Sequence, residues 1–420
     1  MSQLIKMEER PAKIDWWLLG ICSSRVFTYL VFMAYAAALP VLQREWDMSA
    51  AAAGSISGGF QISYAFSLFV FSVLSDTMGA KRVFLLSNFL CVIAALLFTT
   101  FARNYISGLI LYALIGLSLG GVYTPGLMMV TNRYSSERRG LAAGFFIAST
   151  SLSYALSLAI SGMALPKGGY QLSFLLTCLG PVAGFMLAWV TLGSTFNKIY
   201  PRRRGQKLYT EVLKNKPAVL LIAGYILHSW ELLGMWAWAP AFLSACLMVG
   251  GVDVRFAVGG GAYVVSLFHF MGMMASLLMG TLSDRVGRAR VILYVASTSA
   301  FCSFFMGWLI GLPTILIIVF GMLYSFSAIG DSPILSAGLS ESVDPAYLGT
   351  AFALRSFMGF TAGAISPLAF GAILDWTNKG LPETGFYTTW GWAYGVLGLG
   401  GLGAALAAFF LLNLKNRPAQ

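Results

Sequence analysis

Twelve mostly apolar stretches run along the chain, at roughly 16–42, 50–74, 83–102, 105–131, 140–165, 171–193, 218–247, 256–282, 291–310, 313–340, 348–376 and 388–413. Each is close to or beyond the about 20 residues that a helix needs to cross a bilayer. The polar breaks between them are short. The longest, 194–217, holds Pro201-Arg202-Arg203-Arg204 and Lys207 and separates six stretches from six. The pattern predicts an all-α integral membrane protein with twelve transmembrane helices in two pseudo-symmetric six-helix halves. Residues 1–193 form the first half, 194–217 a cytoplasmic linker and 218–420 the second half.

Composition agrees with a lipid-embedded chain. Of 420 residues, 58% are hydrophobic and 10% charged, against about 25% charged in ordinary soluble domains. Small residues let membrane helices approach closely, which gives Gly54-x-x-x-Gly58, Gly116-x-x-x-Gly120 and Gly140-x-x-x-Gly144 a packing role. Cys22, Cys91, Cys178, Cys246 and Cys302 lie in or beside apolar runs and form no metal-type cluster. Neither a metal nor a cofactor is expected. Lys6, Arg10 and Lys13 precede Trp16-Trp17 and a long apolar run, the pattern of a retained first span.

The net charge of +11 reflects topology rather than nucleic-acid binding. Most Lys and Arg fall at the termini, in the 194–217 segment and in every second loop. Only Arg44, Arg103, Lys167, Arg255 and Lys379 lie in the alternate loops. Cytoplasmic loops carry the excess of positive charge, so both termini are placed in the cytoplasm. The expected location is the plasma membrane, the inner membrane in a Gram-negative cell. A monomer is expected.

A turn recurs in both halves. Leu74-Ser75-Asp76-Thr77-Met78-Gly79-Ala80-Lys81-Arg82 follows the second span, and Gly280-Thr281-Leu282-Ser283-Asp284-Arg285-Val286-Gly287-Arg288-Ala289-Arg290 ends the eighth. One spacing separates Asp76 from Asp284, Gly79 from Gly287, Arg82 from Arg290 and Pro125 from Pro333. The turn resembles the loop motif G-x-L-x-D-R-x-G-R-R/K-R/K of the major facilitator superfamily. The second copy matches closely. The first has Ser72 where the leading glycine is usual and Thr77 where arginine is usual.

The resemblance implies a transporter whose halves surround a site near the membrane midplane. It also implies a gating role for Asp76, Gly79, Arg82, Asp284, Arg285, Gly287, Arg288 and Arg290. The glycines permit a tight turn. The aspartates would latch the cytoplasmic side by accepting from the exposed amides of a neighbouring helix and from an arginine. Arg138-Arg139-Gly140 resembles the family's partner segment. A solvated basic turn that only fixes topology is the alternative. Tyr112 stands where many proton-coupled members carry arginine, and residues 140–165 lack the Gly-Pro signature of drug antiporters.

Arg25, Glu231, Asp331 and Arg355 are the ionisable residues well inside the spans. Such groups are costly in the membrane and mark function. By residue count Arg25, Asp331 and Arg355 lie at a depth of roughly 12–15 Å. In the resembled family, spans one, four, seven and ten line the cavity, which places Arg25, Glu231 and Asp331 on it. An arginine offers a planar fork to a carboxylate, so Arg25 and Arg355, one from each half, can clamp one anion. Arg25 snorkelling to the interface and Arg355 pairing with Asp331 are the competing readings. Glu231, with Asp331 next, is the candidate proton carrier, because a carboxyl in a low-dielectric site resists staying charged.

His228 and Trp230 are assigned to the substrate site beside Glu231. Trp230, Trp236 and Trp238 form either a cavity wall or ordinary packing around that residue. His269, between Phe268 and Phe270, reads as a hydrogen-bonded packing residue.

The function expected is secondary active transport of a small organic anion by alternating access, coupled to a proton. The alternatives are a proton-driven exporter of amphipathic or cationic compounds and a non-transporting membrane sensor. No pattern of a nucleophile with clustered His, Asp or Cys suggests an enzyme.

Overall fold

The computed structural model describes residues 15–199, 212–344, 347–380, 382 and 386–415. Lys6, Arg10, Lys13, Arg202, Arg203, Arg204 and Lys207 lie outside the described residues, as does the side chain of Arg139.

Among the described residues, eleven helical runs are long and apolar enough to cross a membrane. One of them, Ser136–Leu192, is 57 residues long. At 1.5 Å per residue it would measure roughly 85 Å, nearly three bilayer cores. It breaks at Gly168 (φ −143°, ψ 24°) and Gly169 (φ 63°, ψ −164°), so it makes two crossings and the total is twelve. The helices are α1 (Trp16–Glu45), α2 (Ala50–Met78), α3 (Ala80–Phe101), α4 (Tyr105–Arg133), α5 and α6 (before and after the Gly168-Gly169 break), α7 (Lys216–Val249), α8 (Val254–Val286), α9 (Arg288–Leu309), α10 (Thr314–Ser342), α11 (Leu348–Asn378) and α12 (Gly391–Lys415).

Several helices outrun the apolar stretches that predict them. α2 continues to Met78 and α8 to Val286, because the backbone ladder continues into the interface until a cap stops it. Gly79 (φ +85°) and Gly287 (φ +102°) end α2 and α8 and begin α3 and α9. A side chain at such a φ is strained, which is why glycine is needed in both turns. At the opposite ends, Ser49, Asn104 and Asp253 accept from the first amides of α2, α4 and α8, satisfying orphan donors.

Two helices are interrupted. α1 passes through a 3-10 turn at Tyr29–Val31. α10 breaks at Asp331, just before Pro333, which has no amide hydrogen to continue the ladder.

The halves meet along α2 with α11 and α5 with α8. Gly54 lies against the Pro367 carbonyl, Gly58 against the Ala364 carbonyl and Gly371 against the Ala50 carbonyl. Gly162 and Gly259 abut in the same way between α5 and α8. Gly116 and Gly120 instead seat α4 on α2. Gly144, of the third glycine repeat, faces open space and so does not carry the packing role that its spacing predicts.

These seams lie away from the Gly79 and Gly287 turns. The face with those turns is called the turn face below, and the opposite one the far face. At the far face Asp375 of α11 accepts from Ala50 N and Ala51 N of α2 at 2.9 and 2.8 Å. Gln43 donates to the Tyr387 hydroxyl at 3.2 Å, and Tyr387 donates to Asp375 at 3.1 Å. Arg255 donates to the Pro166 carbonyl.

A candidate anion site between the halves

Arg25 and Arg355 are 2% and 6% exposed. Burial at this level excludes snorkelling of Arg25 to the interface. Arg25 Nη1 donates to the Phe146 carbonyl at 2.7 Å, and its guanidinium lies 4.8 Å from the Tyr123 ring centre and 5.3 Å from that of Tyr29. Arg355 Nη1 donates to Ser336 Oγ at 2.7 Å, and its guanidinium lies 4.1 Å from the Tyr225 ring centre. The Nε of each arginine is buried without a partner. No carboxylate pairs with either among the described residues.

The arrangement is alike in both halves: a buried cation over a tyrosine, with donor capacity left over. The ring quadrupole attracts the cation but does not neutralise it. A buried uncompensated charge is expensive, and an anionic ligand is the natural compensation.

Asp331 does not pair with Arg355. His228 Nδ1 approaches Asp331 Oδ1 at 2.7 Å, close but poorly aligned, since Oδ1 makes no hydrogen bond of acceptable angle. The His228 ring lies 5.7 Å from Tyr225. Arg355, Tyr225, His228 and Asp331 therefore form one contiguous row.

Glu231 takes a different place from the one expected. Its carboxylate accepts from Ser299 Oγ of α9 at 2.8 Å and lies against Gly401 of α12. It is buried inside the second half, not in the gap between halves.

The three tryptophans do not gather around it. Trp230 donates to the Val396 carbonyl of α12 at 3.0 Å, turned away from the arginines. Trp238 donates to the Pro367 carbonyl of α11 at 3.0 Å. Trp236 alone of the three faces Tyr154 of α5 and His269 of α8, with ring centres 5.3 and 5.2 Å away. His269 packs against Tyr154 and Trp236, but neither of its ring nitrogens is hydrogen-bonded, contrary to the hydrogen-bonded packing residue expected.

The duplicated turns are built differently. Asp284 pairs with Arg288 at 2.6 Å, and Arg288 also bonds Glu341 at 2.8 Å and Ser283 at 2.6 Å. Arg285, Arg290 and Arg82 are exposed. In the first turn, Asn197 donates to the Met78 carbonyl and Lys81 to the Thr195 carbonyl, both at 2.8 Å, fastening the turn to the segment that follows α6. Asp76 is half-buried and has no hydrogen-bond or ion-pair partner among the described residues.

Sequence reasoning missed Tyr123, Tyr225, Tyr154, Ser299 and Gln61. A search for ionisable residues passes over neutral ones. Gln61 and Ser299 still carried a signal, being polar side chains in the middle of apolar runs.

A family model described as Major Facilitator Superfamily matches residues 21–324. A probable 4-methylmuconolactone transporter of Cupriavidus pinatubonensis is 26% identical over 396 residues, covering 91% of this chain and 87% of its own. The hexuronate transporter of Bacillus subtilis is 26% identical over 380 residues, covering 84% and 86%. A crystal structure of the nucleoside transporter NupG superposes with a TM-score of 0.73 at 14% identity, covering 94% of this chain and 99% of that one. The fold, the duplicated turns and these likenesses agree: the chain belongs to the Major Facilitator Superfamily, a transporter and not an enzyme.

Proposed function

We propose that the protein is a secondary active transporter of a small organic anion, working by alternating access and coupled to a proton. The observation that carries the anion is the pair of buried, carboxylate-free arginines, one per half, each with an unpartnered Nε. Relatives named for hexuronate and 4-methylmuconolactone support an organic substrate. A ligand held by Arg25 and Arg355 at once would draw the halves together at the turn face. Asp76, unpartnered while the far face is joined, is free to act as a latch in the alternative state.

For the proton we assign Glu231 and Asp331. Both are buried in the second half, and neither is paired with an arginine. Asp331 joins the row that leads through His228 and Tyr225 to Arg355, so anion binding and proton loading would share one electrostatic neighbourhood. The linker 194–217, the cytoplasmic termini and a monomeric state remain part of this reading.

Uptake into proteoliposomes tests it. Organic anions should accumulate when a pH gradient is imposed, and accumulation should collapse when the gradient is dissipated. Uptake of cations alone would overturn the reading.

A further inference from the structure

Beyond the arginines, a second set of buried polar groups has no partner. Gln61 Oε1 on α2, Trp236 Nε1 on α7 and both ring nitrogens of His269 on α8 are all unsatisfied. Gln61, Trp236 and His269 come from both halves, and Tyr154 of α5 packs against both Trp236 and His269 at ring-centre distances of 5.3 and 5.5 Å. Buried polar groups are normally hydrogen-bonded, so a group of such orphans on facing elements points to a missing ligand.

The same place is aromatic. Phe32 stacks on Tyr154 at 4.3 Å and meets Phe60 edge-on at 4.8 Å. Gln61, Trp236, Phe32 and Phe60 line one cavity. It is about 20 Å³ in this state, room for a water and not for a ring, so a ring enters only as α2 and α7 part. Arg25 connects to this place through Tyr29, whose ring lies 6.4 Å from Tyr154. From Arg25 to Phe32 is roughly 10 Å along α1, the reach of one aromatic acid.

We infer that the transported anion is a planar aromatic carboxylate carrying a polar ring substituent. Its carboxylate sits on Arg25 and Arg355, its ring between Tyr154 and Trp236, and its substituent on His269 and Gln61. The inference rests on the anion reading above and narrows it. Simple aliphatic acids would satisfy the arginines but leave the aromatic faces and the orphan polar groups unused, and a sugar acid would offer hydroxyls to the orphans but no flat π-face to the rings.

Competition for uptake in proteoliposomes tests this with four probes: 4-hydroxybenzoate, benzoate, cyclohexanecarboxylate and glucuronate. The two aromatic acids should compete at roughly tenfold lower concentration than cyclohexanecarboxylate, which has the same charge and nearly the same size but no π-face. 4-Hydroxybenzoate should exceed benzoate by about tenfold through its hydroxyl. His269→Phe keeps the ring stacking and should erase that second margin, so that 4-hydroxybenzoate competes no better than benzoate in the same variant. Gln61→Met, chosen in case the histidine variant fails to fold, should narrow the same margin. The wild-type ranking needs no variant. If cyclohexanecarboxylate or glucuronate matches 4-hydroxybenzoate, the aromatic assignment fails and the anion reading stands. If no anion competes or is taken up, both fail.

Discussion

Asp375 caps Ala50 across the boundary between the halves. Each carboxylate oxygen accepts one of the first amides of α2, where the helix dipole favours negative charge. This is a bond between the end of α11 and the start of α2. The gating aspartate expected from the sequence, Asp76, lies at the other end of α2 and has no partner among the described residues. Asp375→Asn should weaken far-face closure by about 1.5–3 kcal/mol, the worth of charge-assisted bonds. A single cysteine placed in the far-side cleft should then label more than tenfold faster. Unchanged labelling would show that the glycine seams alone close that face.

Asp76→Asn should act in the opposite sense. With no partner to lose in the present state, the substitution can only weaken the alternative one. Accessibility from the turn face should rise, and the double variant with Asp375→Asn should return toward wild type. If Asp76→Asn leaves accessibility untouched, the aspartate is a solvated turn residue.

Arg25→Lys and Arg355→Lys keep a positive charge but lose the planar fork and much of the ring stacking. Each should lower apparent affinity by about tenfold or more, with normal amounts of folded protein in the membrane. A loss of folded protein in proportion to the loss of uptake would mark these residues as structural.

Glu231→Gln retains the size of the side chain and can still meet Ser299, but cannot release a proton. Uphill accumulation should disappear while exchange of labelled for unlabelled substrate persists, because exchange moves no net proton. Normal accumulation in this variant would shift the role to Asp331. In that case Asp331→Asn should abolish accumulation, and it should do so even though Arg355 has no carboxylate partner to lose.

A cysteine at position 205 should be labelled only from the cytoplasmic side, since the positive charges of 194–217 belong there. Labelling from outside intact cells would invert the topology.

The helices and the duplicated turn were legible because their signals are local. An apolar run of the right length has few alternatives in a membrane, and Gly79 and Gly287 sit where the backbone takes positive φ. The pairings were not local. Whether Asp331 meets His228 or Arg355 depends on how α7, α10 and α11 rotate against one another, which no spacing within one helix states. The tryptophans show the opposite case. At about 100° per residue, Trp236 lies about 240° and Trp238 about 80° round the helix from Trp230. Treating the three as one cluster ignored a geometry already present in their numbering. His269 was legible as a packing residue, but only the neighbouring helices show that its nitrogens lack partners.

The seam between α2 and α11 works like a bearing rather than a glue. Backbone presses on backbone at Gly54, Gly58 and Gly371, where the glycines present no side chain to unthread, and Tyr64 meets Phe360 edge-on at 5.1 Å further along the same seam. Such surfaces part and rejoin without rotamer changes, which suits a joint that must cycle. They also have no slack. One methyl group, as in Gly58→Ala, is a wedge driven between α2 and the Ala364 carbonyl, and it should hold the far face ajar without altering any charge or any group near the arginines. A transporter stalled in this way, with its binding residues intact, would separate the act of recognising a substrate from the act of moving it.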